Sequence, residues 1–93
     1  MNVVIVGGRV RMEYRYRDIC REYGCEAKIY TQPKSNLEYM IGIPDLIVLF
    51  TNPVAHEMVH IVKKRAAAKA IPLVQSSCAS CNSLRNILAE AVG

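Results

Sequence analysis

His56 and His60 are the two histidines of this 93-residue chain, and their spacing makes them its first candidates for chemistry. Residues four apart share one face of a helix, so both imidazoles could bind one transition-metal ion. The segment HEMVH also fits H-E-x-x-H, the zinc motif whose glutamate activates water. Zinc proteases take a third ligand from farther along a larger domain, and no third histidine follows here. The pair is therefore a candidate metal or cofactor site, although a polar position at the rim explains His56 equally well.

Cys78 and Cys81 form a C-x-x-C pair, the second pattern that could carry chemistry. Four cysteines in a cytosolic chain favour free thiols, metal binding or redox chemistry over a structural disulfide framework. The pair lies where the last helix is predicted to begin, and a helix N-terminus lowers the pKa of a thiol. Small neutral residues at a helix start are an equally good interpretation. Cys20 is expected in the core, and the position of Cys25 is ambiguous.

A glycine pair, Gly7-Gly8, directly follows the first apolar run and precedes Arg9. Such glycines let the backbone turn sharply and approach a ligand. The segment VGGR lacks the third glycine of the dinucleotide fingerprint, and no GK[ST] follows it. Two interpretations stay open. The glycines form a structural turn, or their N–H groups bind an anion with Arg9 or Arg11 adding charge.

The elements that position these groups are predicted to alternate between strands and helices. Apolar or alternating runs predict strands over residues 2–6, 26–30, 46–50 and 71–75. Helical patterns follow over about 12–23, 37–41, 53–69 and 81–91, the last with Leu84, Ile87, Leu88 and Ala91 facing inward. This order with right-handed crossovers predicts an α/β fold, a small doubly wound parallel sheet of four strands between two layers of helices. We expect residues 1–93 to form one domain.

The predicted strand order is 2-1-3-4, which reverses the chain direction between the first and third strands. Ligands bind at the carboxyl ends of strands at such a switch. The segments expected to converge there are residues 7–9, 51–56 and 76–81. Asn52 is the predicted cap of the third helix and Pro53 its first residue, which puts His56 about one turn in. A helix N-terminus disfavours imidazolium, so we expect His56 to be neutral and His60 to lie on the surface.

Composition limits the classes of protein and partner. A hydrophobic fraction of 52% excludes a disordered chain, and no apolar run approaches the roughly 18 residues of a membrane span. The apolar residues 3–6 are too few for a signal peptide, so we expect a cytoplasmic protein without a membrane partner. The net charge is +4, and no nucleic-acid-binding pattern accompanies the basic clusters. A domain this small buries only a modest core, which favours stabilisation by a second copy of the chain in a homodimer or by a bound cofactor.

Four short segments, taken together, carry a family resemblance. They are VGGR after the first strand, DLIVLFT through the third, VAH opening its helix and KAIPL before the last strand. With them the chain resembles, over nearly its whole length, a family of small bacterial proteins known mainly as a domain of unknown function. The resemblance implies a Rossmann-type α/β domain, some of whose members are thought to bind haem. The matched positions are Gly7, Gly8, Arg9, Thr51 and His56.

The chain departs from the family pattern in two places. Family members often have a histidine in a polar or glycine-rich turn after the second strand, and this chain has residues 30–33, YTQP, there. A serine commonly precedes the helix histidine, and this chain has Ala55. The first departure removes a second iron ligand from that loop.

The resemblance implies a small haem-binding protein that senses or handles oxygen or redox state, with His56 as the axial iron ligand. Further cofactor contacts would come from Gly7, Gly8, Arg9, Arg11, Tyr16, Thr51 and Asn52. Arg9, Arg11 or Arg15 would pair with the propionates, and Met12, Tyr16 and Met40 would line an apolar pocket. So small a chain cannot readily enclose a porphyrin, so the site would lie at a dimer interface.

Two other functions stay open from the sequence. The first is a transition-metal or thiol-redox module that uses His56, His60, Cys78 and Cys81. The second is a non-catalytic signalling module that binds a nucleotide or another small anion on the glycine turn. No pairing of nucleophile and base is visible, so a non-enzymatic role is favoured and no reaction is assigned.

Overall fold

A parallel sheet of four strands, in the order β2-β1-β3-β4, lies at the centre of the fold. The computed structural model describes residues 1–92. Its strands are β1 (Asn2–Val6), β2 (Glu26–Tyr30), β3 (Leu46–Phe50) and β4 (Leu73–Ser76). Every residue of β3 is buried, as expected of an apolar run between two neighbouring strands and two layers of helices. The predicted strand order and the α/β class are confirmed.

Helices cover both faces of the sheet. They are α1 (Glu13–Glu22), which follows a short 3-10 turn at Val10–Met12, α2 (Leu37–Ile41), α3 (His56–Lys69) and α4 (Cys81–Val92). Tyr16 and Leu84, from α1 and α4, share one apolar cluster with alternate residues of the strands. Leu37 and Met58, from α2 and α3, share a second cluster with the other alternate residues. The fold is therefore the predicted arrangement of three layers.

The third helix begins later than the sequence predicts. Its cap position is Ala55, with no side-chain hydrogen bond, and His56 is its first residue. The prediction that Asn52 caps the helix and Pro53 opens it was wrong. The carbonyl of Pro53 accepts a hydrogen bond from the N–H of Gly8 at 3.0 Å, so it is not engaged in an α-helical turn. His56 therefore lies at the very start of α3 rather than one turn in.

Two smaller differences concern the start of the last strand and the inward face of the last helix. The last strand begins at Leu73, since Ala70 is left-handed and the N–H of Ile71 donates to the carbonyl of Ala66, which extends the helix end. Ala91, predicted to face inward, is exposed, while Leu84 and Leu88 are fully buried.

Among residues 1–92, no helix has the length and apolarity that a membrane crossing requires.

Gly7 shows why the turn after β1 requires glycine. Its φ is +89°, and a Cβ there would lie 2.2 Å from the carbonyl oxygen of Phe50. Gly24, after α1, has a φ of +71° but no heavy atom within 4 Å of such a Cβ. Both positions carry the conformational penalty of a left-handed residue, about 1–2 kcal/mol, and Gly7 alone adds a backbone clash.

We expect Gly24→Ala to lower the free energy of unfolding by about 1 kcal/mol and Gly7→Ala by at least about 3 kcal/mol. Urea unfolding followed by circular dichroism measures both, and Gly24→Ala is the matched control for the cost of positive φ. Equal losses in the two variants would show that the turn after β1 is not tightly packed against β3.

Candidate functional site

The turns that leave the four strands are hydrogen-bonded to one another in one row. The N–H of Gly7 donates to the carbonyl of Tyr30 at 2.9 Å, and that of Gly8 donates to the carbonyl of Pro53 at 3.0 Å. The N–H of Thr51 donates to the carbonyl of Ser76 at 2.9 Å. The three segments predicted to converge at the carboxyl ends of the strands therefore lie side by side.

The glycine turn has a structural role in this row. Both glycines are buried, and both of their N–H groups donate to carbonyls of neighbouring segments, so neither is free to bind an anion. The geometry therefore favours the structural interpretation of VGGR over an anion cradle. Arg9 and Arg11 follow the turn, and both are exposed. Their guanidinium groups remain available to an anionic partner at the surface.

Tyr16 packs against the glycine turn from the core. Its side chain is 0% exposed, and its ring centroid lies 5.3 Å from that of Phe50. A Cβ on Gly8 would lie 2.8 Å from the Tyr16 hydroxyl oxygen. That hydroxyl donates a hydrogen bond of 2.6 Å to the carbonyl of Ala79, and burial raises the pKa of the phenol. Tyr16 is thus a core residue that joins the glycine turn to the loop before α4.

His56 opens α3 on the exposed surface at this edge. It lies two residues after Val54, whose side chain would be 3.2 Å from a Cβ on Gly7. Thr51 and Asn52, in the turn that follows β3, are also exposed. The row therefore brings the turn containing Thr51 and Asn52 beside the glycine turn.

His60 lies one helical turn beyond His56, also exposed, as predicted. The two cysteines of the C-x-x-C pair belong to the other side of the sheet, because Cys81 packs against the α1–α4 cluster while Met58 of α3 belongs to the opposite cluster. Within the described part of the chain, no group of three or more His, Cys, Asp or Glu side chains is placed to hold a metal ion. The structure does not bring the two histidines and the two cysteines together.

The loop before α4 holds an ordered set of hydroxyl and thiol groups. The Sγ of Cys78 lies 3.4 Å from the Oγ of Ser80, and that Oγ lies 3.0 Å from the Oγ of Ser83. The N–H of Ser83 donates to Ser80 Oγ at 3.2 Å, so Ser80 caps α4. Hydrogen bonds from Ser80 and Ser83 lower the pKa of the exposed Cys78 thiol. The serine spacing, three residues apart as in a capping box, is the sequence signal that could have identified this arrangement.

Cys81, the second cysteine of the C-x-x-C pair, follows Ser80 in the chain. Cys81 is half-buried at the first position of α4. Arg15 lies on α1, where its Nε donates to the Tyr14 hydroxyl at 3.1 Å. Interaction with Tyr14, and then with Cys81, raises the pKa of Arg15. The sequence suggested Arg15 as a partner of an anionic cofactor and gave no sign of an influence of Cys81 on its pKa.

The remaining cysteines have a different environment. Cys20 is 0% exposed and Cys25 is 3% exposed, both in the cluster beneath α1 and α4. Burial raises the pKa of the Cys20 thiol to about 11. The core position predicted for Cys20 is confirmed. Cys20 and Cys25 are therefore buried in the core, whereas Cys78 and Cys81 lie at the carboxyl edge of the sheet with at least part of their surface exposed.

Two cavities lie away from Cys78 and Cys81. The larger, of about 670 Å³, adjoins the amino-terminal half of β2 and is lined by residues that include Arg17, Arg21 and Lys28. The smaller, of about 170 Å³, lies between the loop before α2 and the start of α3, where Glu57 and Met58 line it. That volume is below the roughly 300–1,000 Å³ of typical small-molecule pockets.

The four-stranded sheet and its row of strand-end turns define a small Rossmann-like α/β protein. Residues 2–91 match a family described as uncharacterized protein conserved in bacteria (DUF2325), and the chain belongs to this family. The match confirms the resemblance seen in the sequence. No curated protein matches the chain.

Solved structures share this fold. A de novo designed Rossmann fold protein has a TM-score of 0.65 and 16% identity, over 97% of this chain and 95% of the other. The lactose-specific IIB component domain of the phosphoenolpyruvate:carbohydrate phosphotransferase system from Streptococcus pneumoniae has a TM-score of 0.65 and 15% identity. That match covers 99% of this chain and 90% of the other. At these identities the likeness shows the fold alone.

We expect Cys78 to be alkylated far faster than Cys20. At pH 7 a thiol with a pKa below its ordinary 9.0 has at least about 100-fold more thiolate than one with a pKa of about 11, and burial of Cys20 slows its reaction further. The rate at Cys78 should rise with pH and reach half of its maximum below pH 9, because the thiolate is the reactive form. Iodoacetamide labelling followed by peptide mass spectrometry measures both, and equal labelling of the two cysteines would contradict the arrangement.

Proposed function

We propose that this protein binds haem at the carboxyl edge of its sheet, with His56 as an axial iron ligand, and that a second copy of the chain completes the site. The observation that carries the proposal is the hydrogen bond between the N–H of Gly8 and the carbonyl of Pro53, which holds the turn before α3 against the glycine turn. His56, the position that the family resemblance singles out, opens the helix beside that contact and is exposed.

The side chains at this edge fit the chemistry of the cofactor. An imidazole is a common axial ligand of haem iron, and an exposed imidazole can reach a ligand without rearrangement of the core. Arg9 and Arg11 are exposed directly after the glycine turn and can form charge-assisted hydrogen bonds with propionates. Val10, 54% exposed, and Tyr14, 58% exposed, add apolar surface to the same segment. A donor, cations and exposed apolar groups are the components that a porphyrin site requires.

A single copy supplies only part of an enclosure. The cavity at the start of α3 measures about 170 Å³, below the range of typical cofactor pockets. A planar cofactor bound by His56 would therefore lie on the surface and leave one face open to water. We infer that the exposed edge of a second copy covers that face and that cofactor binding favours a dimer.

Each residue then has a separate role at this edge. His56 would donate an imidazole nitrogen to the iron, and the guanidinium groups of Arg9 and Arg11 would orient the carboxylates of the cofactor. Gly7 and Gly8 would hold the two turns at a fixed separation, while Tyr16 would support them from the core. Haem would supply an iron that changes oxidation state or binds a diatomic gas.

Titration with haemin tests the proposal. The wild-type protein should develop a sharp Soret band that saturates with added haemin, and His56→Ala should lose most of that band because the iron loses its imidazole. His60→Ala is the matched control, since it removes an equally exposed imidazole one turn along the same helix. We expect its spectrum to match the wild type.

The two variants also define the contrary result. If His56→Ala and His60→Ala retain the same Soret band, His56 is not the ligand. Sedimentation velocity with and without haemin tests the second copy. A chain that saturates with haemin and remains a monomer would contradict the shared site.

A further inference from the structure

We propose that Cys78 and Cys81 form a redox-active dithiol that is oxidised to an intramolecular disulfide by low-molecular-weight disulfides. This site is separate from the proposed haem site, because Cys81 opens a helix on the α1–α4 face whereas His56 opens one on the α2–α3 face. Three features carry the inference. One thiol is exposed beside hydroxyl groups, the segment between the thiols is held in place, and the second thiol is half-buried where the helix begins.

Cys78 has the environment of an attacking thiol. It is exposed, so a disulfide in solution can reach its Sγ. The thiol donates a hydrogen bond of 3.4 Å to the Oγ of Ser80, and after deprotonation the Ser80 hydroxyl can turn from Ser83 and donate to the sulfur. Ser76 fixes the backbone of Cys78 from the other side, because its Oγ accepts from the Cys78 N–H at 3.2 Å and donates to the Cys78 carbonyl at 3.0 Å.

The two residues between the cysteines are both anchored. The carbonyl of Ala79 accepts the 2.6 Å hydrogen bond from the buried hydroxyl of Tyr16. Ser80 caps α4 through the N–H of Ser83, and its own carbonyl accepts from the N–H of Leu84 at 3.2 Å. The C-x-x-C segment is therefore fixed to α1 and to α4, while the Cys78 side chain remains free to react.

Cys81 has the environment of a resolving thiol. It is half-buried at the first position of α4, so it is less accessible than Cys78 to a reagent in solution. Its interaction with the Arg15 guanidinium contributes to the raised pKa of Arg15. Three chain steps limit the separation of the two α-carbons to about 11 Å, so reaching the roughly 7 Å that a disulfide needs calls for at most about 4 Å of movement, at the Cys78 end of the segment.

The exchange proceeds in two balanced steps. The Cys78 thiolate attacks one sulfur of the small disulfide, that S–S bond breaks, and one small thiolate leaves. The Cys81 thiolate then attacks Cys78 Sγ, the Cys78–Cys81 bond forms, and the second small thiolate leaves. The two protons lost by the cysteines pass to the released thiolates. The protein gives up two electrons, and the small disulfide becomes two thiols.

Glutathione disulfide is the probe for this inference, applied to the reduced full chain with acid-quenched samples read by mass spectrometry. The wild type should lose two hydrogens, and peptide mapping should locate the new bond between Cys78 and Cys81. Dithiothreitol should restore the starting mass. Cys81→Ser should stop after the first step and accumulate one glutathione on Cys78, and Cys78→Ser should slow the first step at least about 10-fold.

Several results would overturn the inference. They are a wild-type Cys78 that keeps its glutathione as Cys81→Ser does, an unchanged rate of oxidation in Cys78→Ser, and a bond between the buried Cys20 and Cys25. Circular dichroism verifies that Cys78→Ser, a change at an exposed position, remains folded. His56→Ala should form the disulfide at the wild-type rate, so failure of the haem proposal and failure of this one are distinguishable.

Discussion

The hydrogen bond from Gly8 to Pro53 is the constraint on which the functional edge depends. It holds the turn after β1 against the turn after β3, and so it determines where the chain enters α3. The same contact removes Pro53 from the helix and leaves His56 as the first helical residue. Glycine is required in this turn because a side chain at Gly7 would collide with the carbonyl of Phe50, and one at Gly8 with Tyr16. A local backbone requirement thus positions a side chain that lies nearly fifty residues away along the chain.

The sequence was sufficient for the bounds of the first three strands and for the order of all four, because the apolar runs are short and well separated by turn residues. Residues 46–50 could be assigned with ease, since five consecutive apolar residues between polar neighbours fit a strand buried on both faces. Gly24 likewise ended the first helix as expected, with a φ of +71°. These features depend on local pattern and on backbone preference, both of which can be read without knowledge of tertiary contacts.

The candidate site was harder to predict because its geometry depends on contacts between distant segments. Asn52 and Pro53 have the residue types of a helix start, but a hydrogen bond from another turn overrides that preference. VGGR suggests free N–H groups, and neighbouring carbonyls accept both of its glycine hydrogen bonds. Tyr16 was expected to face a ligand and instead lies in the core, where its hydroxyl bonds the carbonyl of Ala79. In each case the deciding partner is supplied by a different part of the chain.

Tyr16 has a consequence beyond support of the core. The Tyr16 side chain packs beside Gly8 in the turn after β1, and its hydroxyl bonds the carbonyl of Ala79 in the loop before α4. One side chain therefore supports both loops. Both contacts involve the hydroxyl end of the ring, since that oxygen bonds the carbonyl of Ala79 and is also the atom nearest to a Cβ on Gly8. The loop before α4 and the turn that precedes α3, which belong to opposite helix layers, are thus both joined to the glycine turn by contacts outside the strands.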